Sequence, residues 1–162
     1  MTVGIDIDLL REVEQFIYRE GRLADDHEYD AWEALWTDDA VYWVPASEAD
    51  VDPTKRMSII FDNRSRISTR IKQLHTGKRH AQTPESRLRR LITNIELLGE
   101  EDGDVIATAN FLVVESRERG IENWAGRYEY RLRRTEEGLR MARKTAVLVN
   151  SDRAVYTLAF LI

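Results

Sequence analysis

The side chains best suited by type to do chemistry are three histidines, His27, His75 and His80, and the carboxylates Asp25, Asp26 and Asp39. An iron site of two histidines and one carboxylate needs ligands that converge and leave open positions for reaction. His75 and His80 stand five apart in a stretch rich in Thr, Gly, Pro and Ser, while His27 lies in an acidic section. That spacing does not direct them to one ion, and they read as surface histidines. General acid–base work asks for less: a buried carboxylate or histidine with a shifted pKa in an apolar pocket. Tyr29, Trp32, Tyr42 and Trp43 are the candidates to line such a pocket. Asp25 and Asp26 have a plainer reading as helix caps and Asp39 as a turn residue, so no catalytic, cofactor-binding or metal-binding residue is assigned.

Other chemistries lack their parts. The 162 residues contain no cysteine, which excludes a disulfide framework, a thiolate zinc site, an iron–sulfur cluster and a cysteine nucleophile. No Gly-x-Ser-x-Gly elbow, Gly-x-Gly-x-x-Gly run or phosphate-cradling loop occurs. Met1 to Asp6 lacks the basic start and apolar run of a secretory signal, and no apolar stretch approaches the roughly 20 residues of a membrane span, so a cytoplasmic location is expected. The net charge of -5 hides an asymmetry. Residues 1–54 carry 15 acidic and 3 basic side chains, and residues 55–90 carry 11 basic and 2 acidic ones. The basic block has only Phe61 as a stacking aromatic and faces a large acidic block, so nucleic acid is not an expected partner. Mutual neutralisation or a charged face offered to a partner protein explains it better.

These residues must be positioned by elements that change period half-way. Leu9, Leu10, Val13, Phe16, Ile17 and Ala24 recur at helical spacing. A second helix, opening after Asp25 or Asp26, would carry Tyr29, Trp32, Leu35 and Trp36 and end at Asp38-Asp39. Ala40 to Val44 is a short β-prone run stopped by Pro45, and residues 46–54 form a polar loop. A long third helix is predicted to carry Met57, Ile60, Phe61, Ile67, Ile71 and Leu74 on one face, followed by an exposed loop from His75 to Ser86. Beyond it the period falls to two. Strands are predicted over 88–97, 105–113, 124–132 and 139–147, joined by turns at Asp102-Gly103 and Gly138 and a break near Gly120. Arg143, Thr145 and Val147 are placed on one face with Leu139 and Met141. Helices followed by a curled antiparallel meander make one α+β domain over 1–162, its helices packed on one face of the sheet. The apolar residues Val155 to Ile162 need a surface to cover them, either the internal core or an interface.

Specific strings add to the periodicity. Glu14-Gln15-Phe16-Ile17-Tyr18-Arg19-Glu20 leads to Tyr29-Asp30-Ala31-Trp32-Glu33-Ala34-Leu35 and on to Asp38-Asp39-Ala40-Val41-Tyr42-Trp43-Val44-Pro45. Phe61-Asp62-Asn63-Arg64, Leu74-His75-Thr76-Gly77, Pro84-Glu85-Ser86-Arg87 running into Leu91-Ile92-Thr93-Asn94, and Arg140-Met141-Ala142-Arg143-Lys144 follow in order. From about residue 10 to 162 the chain resembles the small (β) subunit of aromatic-ring-hydroxylating dioxygenases, the Rieske non-haem iron oxygenases of aromatic catabolism. It departs from the family in Thr157-Leu158-Ala159, where tails often carry Asn-Leu, and in a more acidic 46–54 loop.

The resemblance implies a cone of the nuclear-transport-factor-2-like (NTF2-like) class. It also implies a trimer of small subunits supporting a trimer of large (α) subunits, an alpha3beta3 assembly. The large subunit would hold the Rieske [2Fe-2S] cluster and the mononuclear iron, and this chain no cofactor. A Rieske centre takes two cysteines, which this sequence lacks. Arg64, Arg87 and Arg90 are the candidate subunit-interface residues. The alternative is a stand-alone NTF2-like acid–base enzyme, of dehydratase or isomerase type. Such an enzyme would place a buried Asp, Glu or His beside a tyrosine inside the cone, whereas a subunit would fill the cone with Trp and Leu.

Overall fold

The first helix begins where an acceptor is available for its free N–H groups. In the computed structural model, which describes residues 4–46, 58–76, 85–150 and 158–162, Asp6 accepts from the Leu9 N–H at 3.0 Å and opens α1 (Ile7–Asp25). Val13, Phe16, Ile17 and Glu20 face inward, and Arg11, Gln15 and Arg19 face solvent. Helix α2 (Tyr29–Glu33) is one turn long and stops short of Trp36. The Leu35 carbonyl accepts instead from the Met141 N–H at 2.7 Å, and the chain turns into β1 (Trp36–Pro45). Asp25 and Asp26 therefore do not open the second helix: Asp25 ends α1, Asp26 is its C-cap, and Glu28 precedes α2. Asp38 and Asp39 lie within β1, where the pairing slips between Trp36 and Val41.

The predicted third helix divides at Asn63. Ser58–Asn63 is strand β2, with Ile60 and Asp62 buried and Phe61 exposed in strict alternation, a period that a helix cannot satisfy. Asn63 then accepts from the Arg66 N–H at 2.9 Å and starts α3 (Arg64–His75), which buries Ile67, Ile71 and Leu74. Met57 lies outside the described residues.

The second half is the predicted meander: β3 (Arg87–Glu101), β4 (Asp104–Arg117), β5 (Gly120–Thr135) and β6 (Gly138–Leu148). The six strands form one sheet in the order β2-β1-β6-β5-β4-β3, in which α1 packs on β3 and α3 on β1. The arrangement is the expected α+β cone of helices on a curved sheet, with one change. Strands β1 and β6 run parallel, a pairing that the long connection through β2, α3 and β3–β5 makes possible.

Two bulges decide which side chains face inward. Between Thr93 and Glu96 the register of β3 slips, so Ile95 and Leu97 pack on the core after Leu88 and Ile92 have done so. In β6 the slip follows Met141: Leu132 pairs with Met141 but Arg131 with Arg143. Lys144, Ala146 and Leu148 consequently turn inward, and Arg143 lies over the outer face against the Trp43 ring. Arg143, Thr145 and Val147 therefore do not share the one face with Leu139 and Met141 that the alternation predicts.

Leu158–Ile162 are fully enclosed among Tyr42, Trp124, Tyr128 and the other core side chains. The apolar tail, so far as it is described, therefore completes the internal core and is not an outer interface. At Gly126 the β6 backbone approaches so closely that a methyl group would overlap the Val147 carbonyl. We expect Gly126→Ala to destabilise by about 1–3 kcal/mol, the usual range for overpacking, read as a lowered urea midpoint, whereas Gly4→Ala, with open space around it, should leave the midpoint unchanged.

Candidate functional site

The interior of the cone holds charge, and sequence reasoning missed most of it. Glu20, on the inner face of α1, and Lys144, turned inward by the β6 bulge, meet at 2.6 Å with no exposure of either side chain. The same Glu20 Oε1 accepts from the Trp32 indole at 3.0 Å. Lys144 Nζ also donates to the Ile162 carbonyl at 3.0 Å and sits 4.2 Å from the centre of the Tyr128 ring. The Tyr42 hydroxyl donates to that carbonyl at 2.7 Å and accepts from the Ile162 N–H at 3.0 Å.

A second buried pair lies beside the first. Asp25 accepts from both the Arg90 backbone N–H, at 2.8 Å, and its Nε, at 2.7 Å. The guanidinium continues to the Tyr128 hydroxyl at 3.1 Å and the Leu161 carbonyl at 2.7 Å. Gly21 lets the arginine pass, since a methyl group there would lie 3.1 Å from Arg90 Cδ. A helix-terminal aspartate and a strand arginine thus join α1, β3, β5 and the last residues of the sequence. Isolated charges in such a place would be prohibitive, but paired and hydrogen-bonded ones persist.

The four aromatic residues predicted to line a pocket behave differently. Trp32 and Tyr42 pack edge to face at 5.8 Å between ring centres, with Trp36 against both, and these rings fill the interior. Tyr29 is buried at the edge, its hydroxyl bonded to His27 Nδ1 at 2.9 Å, and burial with the nearby Glu85 charge pushes its pKa up to about 12. Trp43, next to Tyr42 in a strand, must face the other way. It lies on the outer side against Phe61 and Arg143.

His27 adopts φ 57° and bridges the Tyr29 hydroxyl and the Ser86 carbonyl, both at 2.9 Å, which ties the α1–α2 corner to the start of β3. His75 is an exposed partner of Asp30 at 2.7 Å, and His80 lies outside the described residues. Among the described residues no group of three or more His, Cys, Asp or Glu side chains is placed to hold a metal ion. Asp39 is exposed and held below the usual carboxylate range by hydrogen bonds from Thr37 and Arg133. Of the arginines predicted at an interface, Arg87 is exposed and Arg64 is half-buried on Glu33 and Ser68. Arg90 is interior and spent on Asp25, which corrects its assignment to the surface.

A buried carboxylate beside a tyrosine, the mark of an acid–base enzyme, is therefore present in Glu20 and Asp25. Each is neutralised by its own cation, and the space beside them is occupied by Leu158–Ile162, where the Leu161 and Ile162 carbonyls accept from Arg90 and Lys144.

The family model described as the ring hydroxylating beta subunit matches residues 19–152. The chain belongs to that family. It is 32% identical to the 2-halobenzoate 1,2-dioxygenase small subunit of Burkholderia cepacia over 144 residues, covering 86% of this chain and 87% of the relative. It is also 32% identical to the anthranilate 1,2-dioxygenase small subunit of Acinetobacter baylyi over 152 residues, covering 90% and 93%. The crystal structure of the benzoate 1,2-dioxygenase beta subunit from Burkholderia mallei superposes with a TM-score of 0.74 at 26% identity, covering 98% of this chain and all of the other. The fold extends to a naphthalene 1,2-dioxygenase structure, with a TM-score of 0.78 at 18% identity over 95% of this chain and 84% of that one. The ring-hydroxylase beta-subunit family thus has the NTF2-like cone expected from the sequence. No helix among the described residues is long and apolar enough to cross a membrane.

The buried pairs generate two predictions. Lys144→Met alone strands the Glu20 carboxylate and should cost about 3–5 kcal/mol, whereas Glu20→Leu/Lys144→Met together should cost less than either single change, measured by urea unfolding. Burial pushes Lys144 down to about 8 from 10.5, against the pull of Glu20. Across that window the unfolded chain holds a proton that the folded chain has released, so this group adds stability as pH rises. Burial pushes Tyr42, Tyr128 and Tyr130 up from 10.0, so above that pH the unfolded chain ionises first and stability falls. The urea midpoint of the unsubstituted chain relative to the double variant should rise between pH 8 and 10. Both proteins should weaken beyond it.

Proposed function

We propose that this chain is the non-catalytic small subunit of an aromatic-ring-hydroxylating dioxygenase. It works in the cytoplasm and holds three large subunits together as part of an alpha3beta3 assembly. The Rieske [2Fe-2S] cluster and mononuclear iron belong to the large subunit, and this chain contributes shape and rigidity. The observation that carries the reading is the closed interior. In a chain of this family, the place where a cone enzyme would admit substrate is filled by Trp32, Tyr42 and Leu158–Ile162 and cross-tied by the two ion pairs. Such an interior gives a stiff support and leaves the outer surface for assembly. Large subunits of aromatic-acid dioxygenases are the natural candidates, since the relatives named above serve 2-halobenzoate and anthranilate dioxygenases.

Co-expression with a candidate large subunit, followed by size-exclusion chromatography and iron analysis, tests this. A mixed complex of equal stoichiometry, with iron tracking the large subunit and dioxygenase activity falling when this chain is omitted, is the expected result. Failure to associate with any such subunit, together with lyase or isomerase turnover by the isolated chain, would overturn it. Within the assembly, charge reversal at the exposed Arg87 or at Arg64 should weaken oligomer formation more than it lowers the melting temperature. An intact oligomer with a lowered melting temperature would place those residues in internal support.

A further inference from the structure

Away from the buried pairs, the start of α1 and the far end of β3 enclose an open groove of about 590 Å³. Its walls are Ile5, Leu9, Ile95, Leu97 and Leu98, of which Ile5 is 68% and Leu98 59% exposed. Its rim is acidic: Asp6, Glu96 and Glu100 border it, and Asp8 and Glu12 line the adjoining hollow. The cation of that hollow, Arg134, is already engaged by both oxygens of Glu12. Among the described residues no cation pairs with Asp6, Asp8, Glu96 or Glu100. An apolar floor with an uncompensated acidic rim fits a partner that is apolar along its middle and cationic along its flanks.

The backbone narrows the choice further. Strand β3 is one of the two edges of the described sheet, and an ordinary free edge invites another strand. Here the edge is broken by register slips at Thr93/Glu96 and Leu97/Gly99, with Asn94 at φ 55° and Gly99 at φ 129°. It offers no continuous ladder of N–H and C=O groups beside the groove. A helix laid into the groove by its apolar stripe needs no such ladder and matches the exposed apolar walls. A second copy of this chain does not supply that helix from the described residues. Its basic helix, α3, has Ile67, Ile71 and Leu74 committed to its own core.

We propose that the groove docks an amphipathic helix of the large subunit, with apolar anchors between Ile5 and Leu98 and Lys or Arg side chains opposite Asp6, Glu96 and Glu100. This rests on the subunit reading above. The test compares the unsubstituted chain, Leu98→Asp and Glu96→Lys/Glu100→Lys for affinity to the large subunit, with the self-association and melting temperature of each free chain measured in parallel. The substituted side chains are exposed, so folding should be retained. The expected result is at least tenfold weaker binding for each variant, with unchanged melting and self-association, and an affinity of the unsubstituted chain that falls with added salt. Equal affinities for all three chains would overturn the groove while leaving the subunit reading intact. Variants that change only self-association would overturn it in favour of a second copy as occupant. Absence of any complex with the unsubstituted chain would overturn both readings.

Discussion

The ion pair between Glu20 and Lys144 is the constraint around which the rest of the fold is arranged. It fastens the first helix to the last strand, and each group is also bonded to a third party: Glu20 to the Trp32 indole, Lys144 to the Ile162 carbonyl. Two buried charges in contact tolerate little displacement, since separation returns neither of them to water. Everything touching them is therefore held in register. The aromatic set at Trp32, Trp36 and Tyr42, the Asp25–Arg90 pair and the final five residues of the sequence pack around them so that Glu20 and Asp25 each keep a cation. The same arrangement converts what would be a pocket into a solid wedge, and a solid wedge suits a supporting subunit.

The division of labour between faces follows. Inner charges are matched in pairs, whereas the outer side carries extended networks, such as Arg131 and Arg133 around Asp104, and free acidic residues near the start of α1. The Asp104 network pulls that carboxyl below the ordinary range through bonds from both arginines. It closes the β3–β4 turn tightly while leaving the neighbouring surface open.

Much of this architecture was legible in the sequence, and the exceptions share a cause. Helical spacing located α1 and the core face of α3, and alternation located β3 to β6, because those signals depend only on nearest-neighbour geometry. The first residues of the predicted third helix are a strand because Ile60 and Asp62 answer to β1, a partner that no local window contains. Lys144 was unreadable for a sharper reason. Alternation from Leu139 and Met141 puts it outward, and a single extra residue at the bulge reverses that assignment. Arg90 reads as part of a basic block because its partner, Asp25, stands 65 positions away in the sequence. Gly21, placed where the arginine crosses α1, was the one local sign of it. The family strings, by contrast, indicated the whole fold at once, because they reflect the assembled protein and not its local windows.

The parallel seam between β1 and β6 has a consequence for how the chain is made. Glu20 precedes Lys144 by 124 positions, and Tyr42 precedes Ile162 by 120. At synthesis rates of about 5–20 residues per second, the first helix leaves the ribosome on the order of 10 s before its counter-charge exists. Until Lys144 has been made, burying Glu20 would leave its carboxylate without a cation. The aromatic cluster beside it can therefore close without that penalty only once the last strand is present.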